Sequence, residues 1–277
     1  MSQTYRSAGA ALHYVDEGRG TPVVLLHPTP LDHHYWRPML DEWRDAGIRA
    51  VLPDFRGHGA SELGKNLPVG GFSRAPDAPV LAMDQLARDV LTLLDELSVE
   101  SALFAGCSIG GYVLLELWRQ APQRMRGMAF VCSKPQPDGE PALQKRAENI
   151  AKVRAEGVKG FFDTMANTLP GATSRGRRPA LAAEVRGRMV LSPEAVVAVQ
   201  AGLAVRPDSV STVSTISVPL LSIAGGEDGS VSAADMEAFS AAPGGCTSHV
   251  IADAGHLAAS EQPVTVARLF REWIEKI

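Results

Sequence analysis

Six short apolar runs, PVVLLH (22–27), IRAVLP (48–53), SALFAG (101–106), GMAFVC (127–132), PLLSIAG (219–225) and SHVIAD (248–253), alternate with helical patterns along most of this chain. Parallel strands need a crossover between them, and a helix is the usual one, so this alternation predicts an α/β fold with a mostly parallel sheet wrapped by helices. Between the runs, Met83, Leu86, Val90, Leu93, Leu94 and Leu97 recur at helical spacing, as do Val266, Leu269, Phe270, Trp273, Ile274 and Ile277 near the C-terminus. Each set predicts one apolar stripe facing the sheet.

From about Pro135 to Val213 the rhythm breaks. This stretch is rich in Ala, Arg and Glu, shows no clear strand, and is divided by Pro170, Gly171, Pro179 and Pro193 into short helical windows. It predicts a helical insertion at 135–213 between two parts of one core, 1–134 and 214–277. A chain of 277 residues, 45% apolar, is long enough for one large domain carrying such an insertion.

Charge and cysteine usage narrow the classes of function. With 27 basic against 31 acidic side chains the formal charge is −4, which offers no basic field to hold nucleic acid. Arg175, Arg177 and Arg178 read as solvated surface. Three widely spaced cysteines do not make a disulfide framework, and a reducing, cytoplasmic setting is expected. The opening MSQTYRSAGAALHYVDEG has no apolar core of an export signal, and no long uncharged apolar run follows, so no membrane span is expected. The seven histidines do not fall at metal-ligand spacings. No metal and no cofactor are expected, and no segment specifies an oligomeric state.

In LFAGCSIGGYV (103–113) a predicted strand ends at Gly106 and a predicted helix begins near Ile109, with Ser108 on the turn between them. The helix must fold straight back onto the sheet, so β-carbons at 106, 110 or 111 would collide with neighbouring backbone. Such a turn lifts the serine oxygen above the end of the sheet. The start of the helix adds free N–H groups and a partial positive charge, suited to a developing oxyanion.

Gly106-Cys107-Ser108-Ile109-Gly110 matches G-x-S-x-G, and here the chain resembles the α/β-hydrolase superfamily. The resemblance implies Ser108 as nucleophile. His256, closing IADAGH before LAASEQP, resembles the family's histidine loop and is implied as the base. Asp228 in LLSIAGGEDGSV stands where the family's acid usually sits, in the chain order Ser, Asp, His; Asp138 is the alternative acid, Glu227 should point elsewhere, and Asp253 is too local to His256. The run LLHPTPLDHHYW (25–36) stands where the family usually reads His-Gly-x. Here position 28 is proline, which has no N–H, so the oxyanion donor from this loop is the N–H of Thr29, paired with that of Ile109. DFRGHGAS (54–61) resembles a further family signature and reads as a braced turn, with no catalytic use of His58. A nucleophilic Cys107 is the minor reading.

The insertion at 135–213 stands where the family places its cap. Phe161, Phe162, Met165 and Leu169 could roof a pocket above Ser108, with packing of the cap as the alternative. His27 and Trp36 are further candidate substrate contacts; His27 reads as a loop brace rather than a second base, and His33, His34 and Trp36 could line the pocket mouth, with packing or solvent exposure as the alternative for each. Within the family, AGLAVRPDSVSTVSTISVPLLSIAGGED (201–228) and AGHLAASEQP (254–263) resemble enol-lactonases that open 3-oxoadipate enol-lactone and their esterase relatives. The function this implies is a serine hydrolase cleaving a small-molecule ester or lactone through an acyl-enzyme, without cofactor. Haloalkane dehalogenation is disfavoured because that chemistry uses an aspartate where this chain has Ser108. A C–C bond hydrolase or cofactor-free perhydrolase on the same triad is the alternative, and a non-catalytic or slow-turnover ligand receptor is the alternative of another class.

Overall fold

The computed structural model describes residues 2–43 and 47–277. Eight strands, β1 (Ser2–Ser7), β2 (Ala10–Gly18), β3 (Thr21–Leu26), β4 (Ile48–Pro53), β5 (Ala102–Cys107), β6 (Met125–Val131), β7 (Leu220–Gly225) and β8 (Cys246–Ile251), form one sheet in the order β1-β2-β4-β3-β5-β6-β7-β8. The last six coincide with the six apolar runs, and every pair from β4-β3 to β7-β8 is parallel. The chain therefore has the α/β-hydrolase fold that its sequence predicts.

The antiparallel pair β1-β2, with β2 also antiparallel to β4, is absent from the sequence reading. It closes on Ala8-Gly9, at φ 42° and 80°, the positive values whose twist matches a two-residue hairpin. Ala8 occupies a place where Asn, Asp or Gly would have given the turn away.

The helices are α1 (Arg37–Leu40), α2 (Met83–Glu96), α3 (Ile109–Gln120), α4 (Glu140–Glu156), α5 (Lys159–Thr168), α6 (Ala172–Arg177), α7 (Leu181–Gly187), α8 (Pro193–Ala204), α9 (Val210–Val213), α10 (Ala233–Met236), α11 (Ala258–Glu261) and α12 (Pro263–Ile274). On α2 and α12 the expected stripes are buried from Met83 to Leu94 and from Val266 to Trp273. Ile277, counted in the second stripe, lies beyond the helix and is exposed. α4 to α9 all lie between β6 and β7.

The sheet order reverses at β3. The chain steps from β3 outward to β4, then returns to lay β5 on the other side of β3, with Leu26 beside Gly106. The loops that leave the two C-terminal ends diverge there and open the crevice in which such sheets bind ligands. Thr29 lies on one of these loops and Ser108 on the other.

Candidate active site

β5 ends at Cys107 and α3 begins at Ile109, so Ser108 alone turns the chain, at φ 52° and ψ −116°. A non-glycine residue rarely takes this conformation, and holding it costs on the order of 1–3 kcal/mol. Neighbouring hydrogen bonds secure it. The Ser108 N–H donates to the Val131 carbonyl at 3.1 Å, and the Ser133 hydroxyl donates to the Ser108 carbonyl at 2.9 Å. The turn is as tight as the glycines suggest: a β-carbon at Gly106 would fall on the backbone of Gly110, and one at Gly110 on the carbonyl of Leu26. Ser108 is half-buried, and the N–H of Ile109, first in α3, has no partner within its helix.

His256 lies beyond β8 and Asp228 beyond β7. Imidazole Nδ1 is 2.7 Å from Asp228 Oδ2, and both side chains are buried. The carboxylate is itself aimed, because Oδ1 accepts the N–H groups of Ser230 at 2.7 Å and Val231 at 3.1 Å. Burial pushes the Asp228 carboxyl up, but the charge and hydrogen bond of His256 and these N–H groups outweigh it and hold the group below the usual carboxylate range. Asp228 is thus an ionised acceptor, Nδ1 carries the proton, and Nε2 is the nitrogen left to accept one.

The other carboxylates are occupied elsewhere. Asp138 sits between Arg206 (2.7 Å) and Arg146 (3.0 Å). Glu227 turns toward the insertion and accepts the N–H and hydroxyl of Thr173. Asp253 pairs with Arg177 at the surface. Beside Ser108, Cys107 is wholly buried with its thiol against the His256 carbonyl at 3.6 Å, and burial pushes its pKa up, which removes the thiolate that attack would need.

The loop after β3 is braced by two neutral imidazoles. His58 Nδ1 donates to the Arg56 carbonyl at 2.9 Å, so its Nε2 accepts from the Thr29 hydroxyl at 2.9 Å. His27 Nδ1 donates to the Pro28 carbonyl and its Nε2 accepts the Phe55 N–H, both at 3.0 Å. Burial, reinforced by His27, pushes His58 down from 6.5 to about 3, and burial lowers His27 as well. With both ring nitrogens engaged, His27 holds the loop and has no atom to offer a substrate. Trp36 is likewise core, edge-on to Tyr35 and Phe270. His33 and His13 share Asp54, at 2.8 Å each. Their ligand atoms lie close enough to surround an ion, yet both carboxylate oxygens already bind the imidazoles and the His33 N–H, and the cluster reads as a brace. His34 lines a half-open cleft of about 440 Å³ between this loop and α7, with Tyr35, Leu181, Arg188 and Ser260.

Within the insertion, Phe161 and Phe162 are buried against each other and Arg186 lies over the Phe162 ring, while Met165 is half-buried. Sequence reasoning assigned no role to Ser133 or Glu261, which act on backbone groups; Glu261 lies within LAASEQP, and that run's resemblance to the family's histidine loop was the available signal.

The α/β hydrolase fold family matches residues 21–263. The chain belongs to that family. This α/β hydrolase superposes on a thermophilic esterase from Thermogutta terrifontis with a TM-score of 0.88, at 29% identity over 100% of this chain and 98% of the other. It is 27% identical to 3-oxoadipate enol-lactonase 1 of Acinetobacter baylyi over 92% of this chain and 89% of that enzyme. It also matches bifunctional epoxide hydrolase 2 of Sus scrofa, at 29% identity over 44% of this chain, where it spans only 20% of the longer protein.

Proposed function

We propose that this α/β hydrolase cleaves a small carboxylic ester or lactone through an acyl-enzyme on Ser108. The observation that carries the reading is the ionised Asp228 on Nδ1 of His256, a buried pair whose backbone touches the neighbour of the strained Ser108. In this reading His256 Nε2 takes the hydroxyl proton as Ser108 Oγ attacks the acyl carbon, and the N–H groups of Thr29 and Ile109 stabilise the oxyanion. Collapse breaks the acyl–oxygen bond, and the proton returns from Nε2 to the departing alkoxide. Water then attacks the acyl-enzyme, giving its proton to His256 Nε2; collapse breaks the bond to Ser108 Oγ, which takes that proton back, and the acid is released. The helices of 135–213 form a cap that keeps bulk water from this centre. The esterase and enol-lactonase relatives, which the chain matches over nearly its full length, support ester and lactone substrates over the C–C and perhydrolase alternatives.

The decisive experiment is labelling with a fluorophosphonate, followed by mass spectrometry of the tagged peptide. The expected tag is on Ser108, with Ser108→Ala unlabelled, folded and slower in p-nitrophenyl acetate hydrolysis by about 10³-fold or more. Unreactive protein with no turnover of any ester or lactone would leave the ligand receptor as the better reading.

A further inference from the structure

Glu261, the last residue of α11, is a buried carboxylate that no Lys, Arg or His side chain neutralises among the described residues. Backbone N–H groups surround it instead. Oε2 accepts from Gly255 at 3.0 Å and from Gly171 at 2.9 Å, and Oε1 accepts from Leu257 at 3.0 Å. Gly255 and Leu257 flank His256. Gly171 belongs to the turn between α5 and α6, more than eighty residues earlier in the chain.

The amide between them is tied to the same turn, because the His256 N–H donates to the Leu169 carbonyl at 2.8 Å. Two backbones touch here: a β-carbon on Gly255 would fall on the Gly171 nitrogen, and one on Gly171 would crowd Gly255. Three consecutive amides of the histidine loop are therefore fixed, the outer two by Glu261 and the central one by the 169–171 turn that Glu261 also holds.

We propose that Glu261 is a positioning residue that makes the placement of His256 depend on the seating of the cap; this rests on His256 being the base. Two oxygens must accept three N–H groups, which an ionised carboxylate does and an amide does not, since its NH2 would face a donor. A loop freed on this side lets the imidazole drift from Ser108, and a displacement of about 1 Å costs up to about 10²-fold in rate.

The test measures p-nitrophenyl acetate hydrolysis by the full chain carrying Glu261→Gln, with folding checked by circular dichroism melting. We expect kcat to fall about tenfold or more with KM within about threefold, because the base is misplaced while the binding surface stays. In a His256→Ala background, adding Glu261→Gln should change the residual rate by less than about twofold, since a residue acting through an imidazole has no effect once the imidazole is gone. An unchanged kcat in Glu261→Gln, or a loss that persists in full without His256, overturns the positioning role alone. Full activity in His256→Ala by itself overturns the base assignment and the proposal with it. If Glu261→Gln does not fold, Glu261→Asp, which keeps the charge but retracts it, is put through the same comparison.

Discussion

Nδ1 of His256 lies 2.7 Å from Oδ2 of Asp228, a pairing that joins the loops after the last two strands. Asp138, beyond β6, is held by Arg146 and Arg206 and pairs with no imidazole among the described residues. Asp228→Asn should therefore lower kcat/KM far more than Asp138→Asn. An amide at 228 favours the wrong tautomer of His256, a penalty on the order of 10⁴ in a related triad, whereas loss of charge at 138 weakens two ion pairs and appears first in thermal stability. Parallel kinetics and melting curves of the two variants check the ranking; the reverse order would make Asp138 the functional acid.

Stability should decline on mild acidification because of His58. Its folded-state pKa is depressed, from 6.5 to about 3, so between these values the unfolded chain binds a proton that the native chain does not. The contribution is fully present above about pH 6.5 and is lost as pH falls toward 3, with His27 acting in the same direction. Urea melts of wild type at pH 7 and pH 5 should show a clear loss at pH 5. His58→Gln should be less stable at pH 7, having lost its place between Arg56 and Thr29, yet lose less between the two pH values. Equal slopes for the two proteins would remove His58 as the source.

The buried setting of the His256–Asp228 pair, together with a half-buried Ser108, bears on substrate size. Under the proposed cap of 135–213, such a centre suits small acyl groups. Across a series of p-nitrophenyl esters below their aggregation limits, kcat/KM should be higher for acetyl and butyryl than for chains of about twelve carbons or longer. A preference for the long members would mean an open, lipase-like groove.

Much of this was legible in the sequence because it is local. Six strands, the stripes of α2 and α12, and the turn at Ser108 each rest on the packing needs of a few consecutive residues, and a β-carbon either fits beside Gly110 or does not. The matching of G-x-S-x-G by glycines at 106 and 110 is a statement about backbone sterics, which neighbouring residues settle among themselves. The choice of partners is of another kind. Asp228, Glu227, Asp253 and Asp138 are all loop acids near strand ends, and only the meeting of the loops after β7 and β8 with the insertion assigns one to His256, one to Thr173, one to Arg177 and one to two arginines. Trp36 looks like a pocket residue in the sequence and becomes a core side chain once Phe270 packs against it, while His27, a candidate substrate contact that also reads as a loop brace, is held to the brace by the Phe55 N–H. Glu261 sits in a run that resembles the family's histidine loop, but that run does not show what the carboxylate holds, because the Gly171 N–H that it accepts arrives from the far side of the fold. Sterics act over a few bonds and are written in consecutive residues; hydrogen-bond partners of buried charges come from segments that only tertiary packing brings together, and that packing decided which acid meets the imidazole and what holds the imidazole in place.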